Sequence, residues 1–223
     1  MIFYALPVSS YSAKVRIVLI AKNIAFHELE PPGGYRSEAY RGIVPMGTLP
    51  AINDEGFVLS ESEAINEYLE ECYPAPQMLP RMPRDRAAAR FLSRFHDLYL
   101  EPPVRALFAH IAPAQRDPAI VEARATDIRR RIAQLARLCN PRPYLAADYL
   151  TLADCGPAVT VPLAQTLLAA LGQPLGLPEA IAEWHAAVQI HPSVREALDP
   201  WRAATERWVA ERLGASTGNP PHE

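Results

Sequence analysis

Residues 2–22 read Ile2-Phe3-Tyr4-Ala5-Leu6-Pro7-Val8-Ser9-Ser10-Tyr11-Ser12-Ala13-Lys14-Val15-Arg16-Ile17-Val18-Leu19-Ile20-Ala21-Lys22. Ile2–Leu6 is a short apolar strand that Pro7 ends, since proline cannot donate to a ladder. From Ser12 to Lys22 the residues Val15, Ile17, Val18, Leu19 and Ala21 predict an apolar helix, covered on one side by Lys14, Arg16 and Lys22. A strand running through a serine-rich turn into a helix opens an α/β unit. The pattern continues. Ile24–Glu30 sets Ile24, Phe26 and Leu29 among polar residues as a second strand, which Pro31-Pro32-Gly33-Gly34 closes. Thr48–Asn53 and Phe57–Ser60 predict a hairpin around Asp54-Glu55-Gly56. Ser60-x-x-Glu63 reads as a capping box for a helix that carries Ile65, Tyr68 and Leu69 on one face.

Beyond residue 73 the character changes. Pro74, Pro76, Pro80 and Pro83 make a stiff linker, and everything after it has helical periodicity. One long helix is expected from Arg84 to about Ile111, with Phe91, Leu92, Phe95, Leu98 and Tyr99 inward and a bend at Pro102-Pro103. Pro118–Cys139 is a second helix and Pro178–Ile190, with Trp184, a fourth. Thr151-Leu152-Ala153-Asp154 opens the third with a capping box, read as structural, and Gly156-Pro157 and Pro162 should distort it. The expected organisation is an α/β domain over residues 1–75 and an all-α helical domain over residues 84–212.

Composition removes several function classes. The 223 residues include 49% hydrophobic side chains and carry a net charge of −3, with a pI near 6.1. Without a basic run there is no electrostatic footprint for nucleic acid. No segment approaches the ~20 apolar residues of a membrane helix, and the N-terminus lacks a signal-peptide pattern. Cys72, Cys139 and Cys155 are three and far apart, so neither a disulfide framework nor a Cys-x-x-Cys site is expected, and the six histidines show no metal-ligand spacing. These features predict a cytoplasmic protein without a metal. The 23 prolines are about twice the usual ~5% of a chain. Lys14 and Lys22 are the only lysines among 22 basic residues, an arginine bias read as genomic composition.

The serines at 9, 10 and 12 sit where a strand meets a helix, beside free N–H groups and the positive end of the helix dipole. Taken alone, each is a helix cap. A hydroxyl in that place can also hold a thiolate. Lowering a thiol pKa of ~8.5 by two units needs about 2.7 kcal/mol. One charge-assisted hydrogen bond supplies roughly 1.5–3 kcal/mol, and the helix terminus adds roughly 0.3–2. No general base is then required.

Four stretches in order carry a family resemblance: Tyr4 followed by Ser9-Ser10-Tyr11-Ser12-Ala13-Lys14-Val15-Arg16, then Pro45-Met46-Gly47-Thr48-Leu49-Pro50, then Leu59-Ser60-Glu61-Ser62-Glu63-Ala64-Ile65, then Thr151-Leu152-Ala153-Asp154. Together they resemble the cytosolic glutathione transferase superfamily, in a serine-type bacterial form with a zeta- or tau-like N-terminal motif. The resemblance runs from about residue 2 to about residue 200. It implies a thioredoxin-like N-terminal domain and a C-terminal α-helical bundle, glutathione as co-substrate, a detoxification enzyme, and a homodimer. Ser9 matches the serine that activates the thiol in zeta- and tau-like members, and Ser10 matches that of theta- and delta-like members. Tyr4 corresponds to the tyrosine of the tyrosine-type classes, with a core role expected here. Serines at the Cys-x-x-Cys spacing of Ser9 and Ser12 cannot exchange disulfides.

The same resemblance implies that Leu49 and a cis Pro50 present backbone groups to the cysteinyl part of glutathione, and that Glu61 and Ser62 bind its γ-glutamyl end. Val44 and Thr48 stand where an asparagine and a lysine or glutamine are frequent, which leaves Arg41 as the substitute partner of the glycyl carboxylate. Tyr11 departs from the Ser-Ser-Cys of the zeta class. A pocket for a small hydrophobic electrophile is expected between the domains, lined by Tyr11, His96, Tyr99 and Arg105 or Phe108. Cys155 is read as a small buried apolar residue. The rival expectation is a non-catalytic module of the same fold, like the stringent-starvation relatives, used for protein binding.

Overall fold

The computed structural model describes residues 1–214. Strands β1 (Ile2–Tyr4), β2 (His27–Leu29), β3 (Ala51–Asp54) and β4 (Phe57–Ser60) form one sheet in the order β2-β1-β3-β4. β1 runs parallel to β2 and antiparallel to β3, and β3 and β4 form the predicted hairpin. Its turn depends on Glu55 and Gly56, both at positive φ, with the Gly56 N–H donating to Asn53 Oδ1 at 2.8 Å. Helices α1 (Ser10–Ala21), α2 (Glu38–Arg41) and α3 (Ser62–Cys72) complete a thioredoxin-like domain. The chain then continues as α4 (Pro83–Phe95), α5 (Glu101–Arg105), α6 (Pro118–Leu138), α7 (Leu152–Cys155), α8 (Pro157–Ala170), α9 (Glu179–Gln189) and α10 (Pro192–Gly214). No helix among the described residues is long and apolar enough to cross a membrane.

α1 is the centre of the molecule. Ala13, Val15, Ile17, Val18 and Leu19 are wholly buried, and the helix packs on α3 to one side and on α7, α8 and α10 to the other. Lys14, Arg16 and Lys22 cover one side of the helix as expected, but that side does not meet solvent. All three cations are buried, and each meets an acid. Lys14 Nζ lies 2.7 Å from Glu63 and 2.9 Å from Asp97; Arg16 donates to both oxygens of Glu28; Lys22 Nζ lies 2.6 Å from Glu70. Lys22 also donates to the carbonyls of Tyr73 and Pro76, while Glu70 accepts from the N–H groups of Met78 and Leu79. The proline-rich connection is thereby tied to α1 and α3, and its backbone groups are satisfied without a helix or a ladder.

The long helix expected from Arg84 to Ile111 is broken. After α4 the chain makes a π turn, His96–Leu100, in which the Glu101 N–H bonds to the His96 carbonyl. Pro102 and Pro103 have no N–H to offer the carbonyls of Leu98 and Tyr99, so the α ladder cannot continue through them. The extra residue in the turn points both His96 and Glu101 into the interior. It leaves Leu98 and Tyr99 about half exposed, as is Phe91 on the outer face of α4, against the expectation that all three face inward. The helix begun at Thr151 is likewise split at Gly156 into α7 and α8. Asp154 does what a capping box requires and more. Its buried carboxylate accepts from the Thr151 N–H and hydroxyl, the Leu145 N–H and the Trp184 indole, so one side chain pins α7 to α9.

Candidate active site

Between the two domains lies a cleft of about 640 Å³. One wall is the N-terminal end of α3, with Glu61, Ser62, Glu63, Ala64 and Glu67; beside it are Tyr35, Thr48 and Leu49, and Tyr11 of α1. The helical domain supplies Arg94, Asp97, Leu98 and Arg105. The capping box expected at Ser60 and Glu63 does not form. Ser60 ends β4, and the Glu63 carboxylate turns instead to Lys14 and to the Ser93 hydroxyl at 2.6 Å. α3 therefore starts at Ser62 with Glu61 as its N-cap and no side-chain cap, and its first helical bond is Ile65 N–H to Glu61 O. The N–H groups before Ile65 face the cleft with the positive end of the dipole behind them, where an anionic group is favoured. Glu61 holds φ 72° and ψ 113°, outside the comfortable regions for a side-chain-bearing residue. Backbone strain of this kind concentrates where ligands are gripped.

Leu49-Pro50 is a cis peptide, and Tyr40 of α2 holds the preceding Thr48 carbonyl with its hydroxyl at 2.9 Å. The Thr48 hydroxyl itself is buried without a partner among the described residues. At the start of α1 the two adjacent serines differ. Ser9 is the N-cap: its Oγ accepts the Ser12 N–H at 3.2 Å, which leaves the hydroxyl proton free. Ser10 is 3% exposed and spends its proton on Glu101 of α5.

Glu101 is itself fully buried. Its second oxygen takes the proton of Thr160, and Thr160 Oγ1 then has only lone pairs to offer His96 Nε2, 2.6 Å away. His96 Nδ1 faces Asp97 Oδ1 at 2.9 Å. Two acceptors on two ring nitrogens require both to carry protons, so His96 is an imidazolium. Burial alone would push its pKa down, but the hydrogen bond to Asp97 and the Glu101 carboxylate, 3.7 Å from Nε2, carry it above the ordinary value. Asp97 responds in kind. Burial would raise its pKa, yet His96 and Lys14 together hold it at about 2. A continuous set of contacts thus runs from Ser10 through Glu101, Thr160, His96 and Asp97 to Lys14 and Glu63.

The glutathione S-transferase N-terminal domain model matches residues 3–77. A glutathione S-transferase from Pseudomonas putida is 31% identical over 74% of this chain and 74% of its own length. This chain belongs to the glutathione S-transferase family. A stringent starvation protein A homolog from Coxiella burnetii is 30% identical over 70% of this chain and 71% of its own. Among solved structures, a bacterial zeta-class maleyl pyruvate isomerase superposes with a TM-score of 0.74 at 27% identity, covering 88% of this chain and 96% of that one.

Set against the family's pattern, the structure brings Tyr11, Leu49, Glu61, Ser62 and Arg105 together on the cleft. Ser9 and Pro50 stand directly beside Ser10 and Leu49 rather than on the lining. Tyr4 is buried against Tyr40, ring to ring at 5.6 Å, in the second small apolar cluster. Three residues lie elsewhere than expected. His96 is 2% exposed and faces the interdomain core. Tyr99 lines a separate groove with Phe91, Phe95 and Arg131. Arg41 is exposed, its stem against Gly47. The sequence reading missed Tyr35, Glu63, Glu67, Arg94 and Asp97 as lining residues. Only Glu63, quoted in a motif, carried any signal. Burial raises the Tyr11 phenol pKa well above its ordinary value, with Glu101 and Asp97 adding to it, so Tyr11 stays a proton donor. Cys155 is wholly buried and burial drives its pKa up, which makes it an inert packing residue.

Proposed function

We propose that the protein is a glutathione transferase in which Ser9 stabilises the glutathione thiolate for attack on an electrophilic carbon of a small hydrophobic substrate. The observation that carries this reading is the division of labour between Ser9 and Ser10. Ser9 keeps a free hydroxyl proton at the N-cap of α1, while the proton of Ser10 is committed to Glu101. A hydroxyl donor together with the N-terminus of α1 matches the roughly 2.7 kcal/mol that a two-unit pKa drop requires. The remaining groups suit the peptide. The open N–H groups of α3 and Ser62 receive the γ-glutamyl carboxylate, Glu61 faces the ammonium, and Leu49 and cis Pro50 align the cysteinyl backbone. The unpartnered Thr48 hydroxyl joins Arg41 as a partner for the glycyl end. Conjugation, isomerisation, dehalogenation and ether cleavage all begin from such a thiolate. The isomerase named among the similar structures adds weight to isomerisation.

The half-exposed Phe91 and Tyr99 and their groove along α6 supply an apolar face of the kind a homodimer covers. The test is retention on immobilised glutathione together with the ultraviolet absorbance of bound thiolate. Wild type should show both, Ser9→Ala should lose the thiolate signal, and Ser10→Ala should keep it. Wild type that neither binds glutathione nor shows thiolate would overturn the reading. It would favour a cytoplasmic protein-binding module, the alternative that the starvation-protein relative supports.

A further inference from the structure

The charges on the cleft are segregated. Glu61, Glu63, Glu67 and Asp97 gather at the α3 side, and the two cations, Arg94 and Arg105, come from the helical domain. Arg94 is engaged with Asp97 at 3.4 Å. Arg105 is different. Its guanidinium lies between two aromatic rings, 5.6 Å from the centroid of Tyr11 and 5.4 Å from that of Phe108. Its one acidic neighbour, Glu101, is 4.0 Å away and is already occupied by Ser10, Thr160 and His96. Arg105 makes no hydrogen bond among the described residues, and its side chain is 43% exposed. A planar fork of donors is therefore held in place by ring stacking, its hydrogen bonds unspent, over the ring of a residue only two positions after Ser9.

We propose that Arg105 selects a second substrate bearing a carboxylate: an aromatic or unsaturated acid whose apolar body lies along Tyr11, Phe108 and Leu98. This rests on the transferase reading and narrows its substrate class. The acidic α3 side repels such a group, and the paired oxygens of a carboxylate match the fork. Glutathione's own glycyl carboxylate is the other possible source of the same chemistry. Arg105 belongs to the helical domain, whereas Thr48 and Arg41, assigned above to the glycyl end, belong to the thioredoxin-like one, which favours the second substrate.

The test uses the full-length chain with 4-chloro-3,5-dinitrobenzoate and its methyl ester at saturating glutathione. In both, the thiolate sulfur bonds to the chlorine-bearing ring carbon, the C–Cl bond breaks, and chloride leaves with the electron pair; the thiol proton has gone to solvent. Arg105→Leu should lower kcat/KM for the acid at least about tenfold more than for the ester, with Arg105→Lys between. An equal loss for both overturns the proposal, as does a raised KM for glutathione that is common to both electrophiles. Turnover of the ester with no preference for the acid sinks this inference alone. If neither electrophile reacts, the transferase reading is at fault. Calorimetric titration with 4-nitrobenzoate then still decides: binding that is weakened at least about tenfold by Arg105→Leu supports the assignment, and binding unchanged by it overturns it.

Discussion

At the residue scale, neighbouring side chains of one type do opposite work. Ser9 and Ser10 are chemically identical, and only the partner each meets separates them. On the proposed role, Ser9→Ala should cut kcat/KM about a hundredfold through loss of a charge-assisted hydrogen bond to the thiolate, read in steady-state kinetics. Ser10→Ala should leave the thiolate pKa in place but cost about 1–3 kcal/mol of stability, since Glu101 loses one of its buried donors. Lys14 is a sharper case. It is wholly buried between Glu63 and Asp97. Lys14→Met would leave Glu63 without its cation and Asp97 with only His96 and the looser Arg94, and should destabilise by about 3–5 kcal/mol in denaturant titration. A compact ammonium suits a site with two acids converging on one point, where the flat fork of an arginine does not. Lys22, the other lysine of this arginine-biased chain, likewise gathers several acceptors at one point: the Glu70 carboxylate and the carbonyls of Tyr73 and Pro76.

At the element scale, the break between α4 and α5 and the break between α7 and α8 belong together. The π turn pushes His96 inward, and Gly156 gives it room: a Cβ at Gly156 would stand 2.4 Å from His96 Nδ1. The missing side chain is what allows α7 and α8 to pass the imidazolium. Gly156→Ala should therefore displace His96 from Thr160 and Asp97 and lower stability by about 1–3 kcal/mol, seen as a drop of several degrees in Tm. Sequence alone marks the prolines and the glycine as points of distortion without giving them a purpose. Their purpose lies in a contact between residues 60 apart in the chain, which no local pattern records. The capping box at Ser60 failed for a related reason: Glu63 is drawn to Lys14 of α1 and to Ser93 across the domain junction, a stronger claim on its charge than a backbone N–H.

At the scale of the whole molecule, the two domains are joined by charge as well as by apolar packing, and this sets a pH dependence. The Asp97 pKa of about 2 lies below the ordinary carboxylate value of 3.8. A depressed carboxylate adds stability that is complete above the unfolded value and is lost as pH falls through the folded one, here worth about 2 kcal/mol. His96 works from the other side. Its raised pKa adds stability below its ordinary value of 6.5 that is lost as pH climbs through the folded value. Thermal denaturation should show Tm falling from about pH 4 to pH 2. Asp97→Asn should be less stable at neutral pH and flatter across that window, because the group that loses its charge there is gone.

Much of this protein was legible in its sequence, because local chemistry sufficed. Pro7 must end a strand, Asp54-Glu55-Gly56 must turn, Thr151 and Asp154 must cap, and alternating strand and helix signals followed by helices alone dictate an α/β domain and a helical one, the first of which the family resemblance implies is thioredoxin-like. The ordered motifs around Ser9, Pro50 and Glu61-Ser62 led to the transferase family. Tertiary structure alone decided how α1 is covered, and so whether Lys14, Arg16 and Lys22 meet solvent or acids. It also decided that Ser10 is spent and Ser9 free, that His96 is a buried imidazolium, and that Arg105 keeps its donors open to the cleft. The physical reason is common to all of these. Each depends on which charge or donor arrives from another element of the fold, and a buried charge takes its state from its partners and not from its neighbours in sequence.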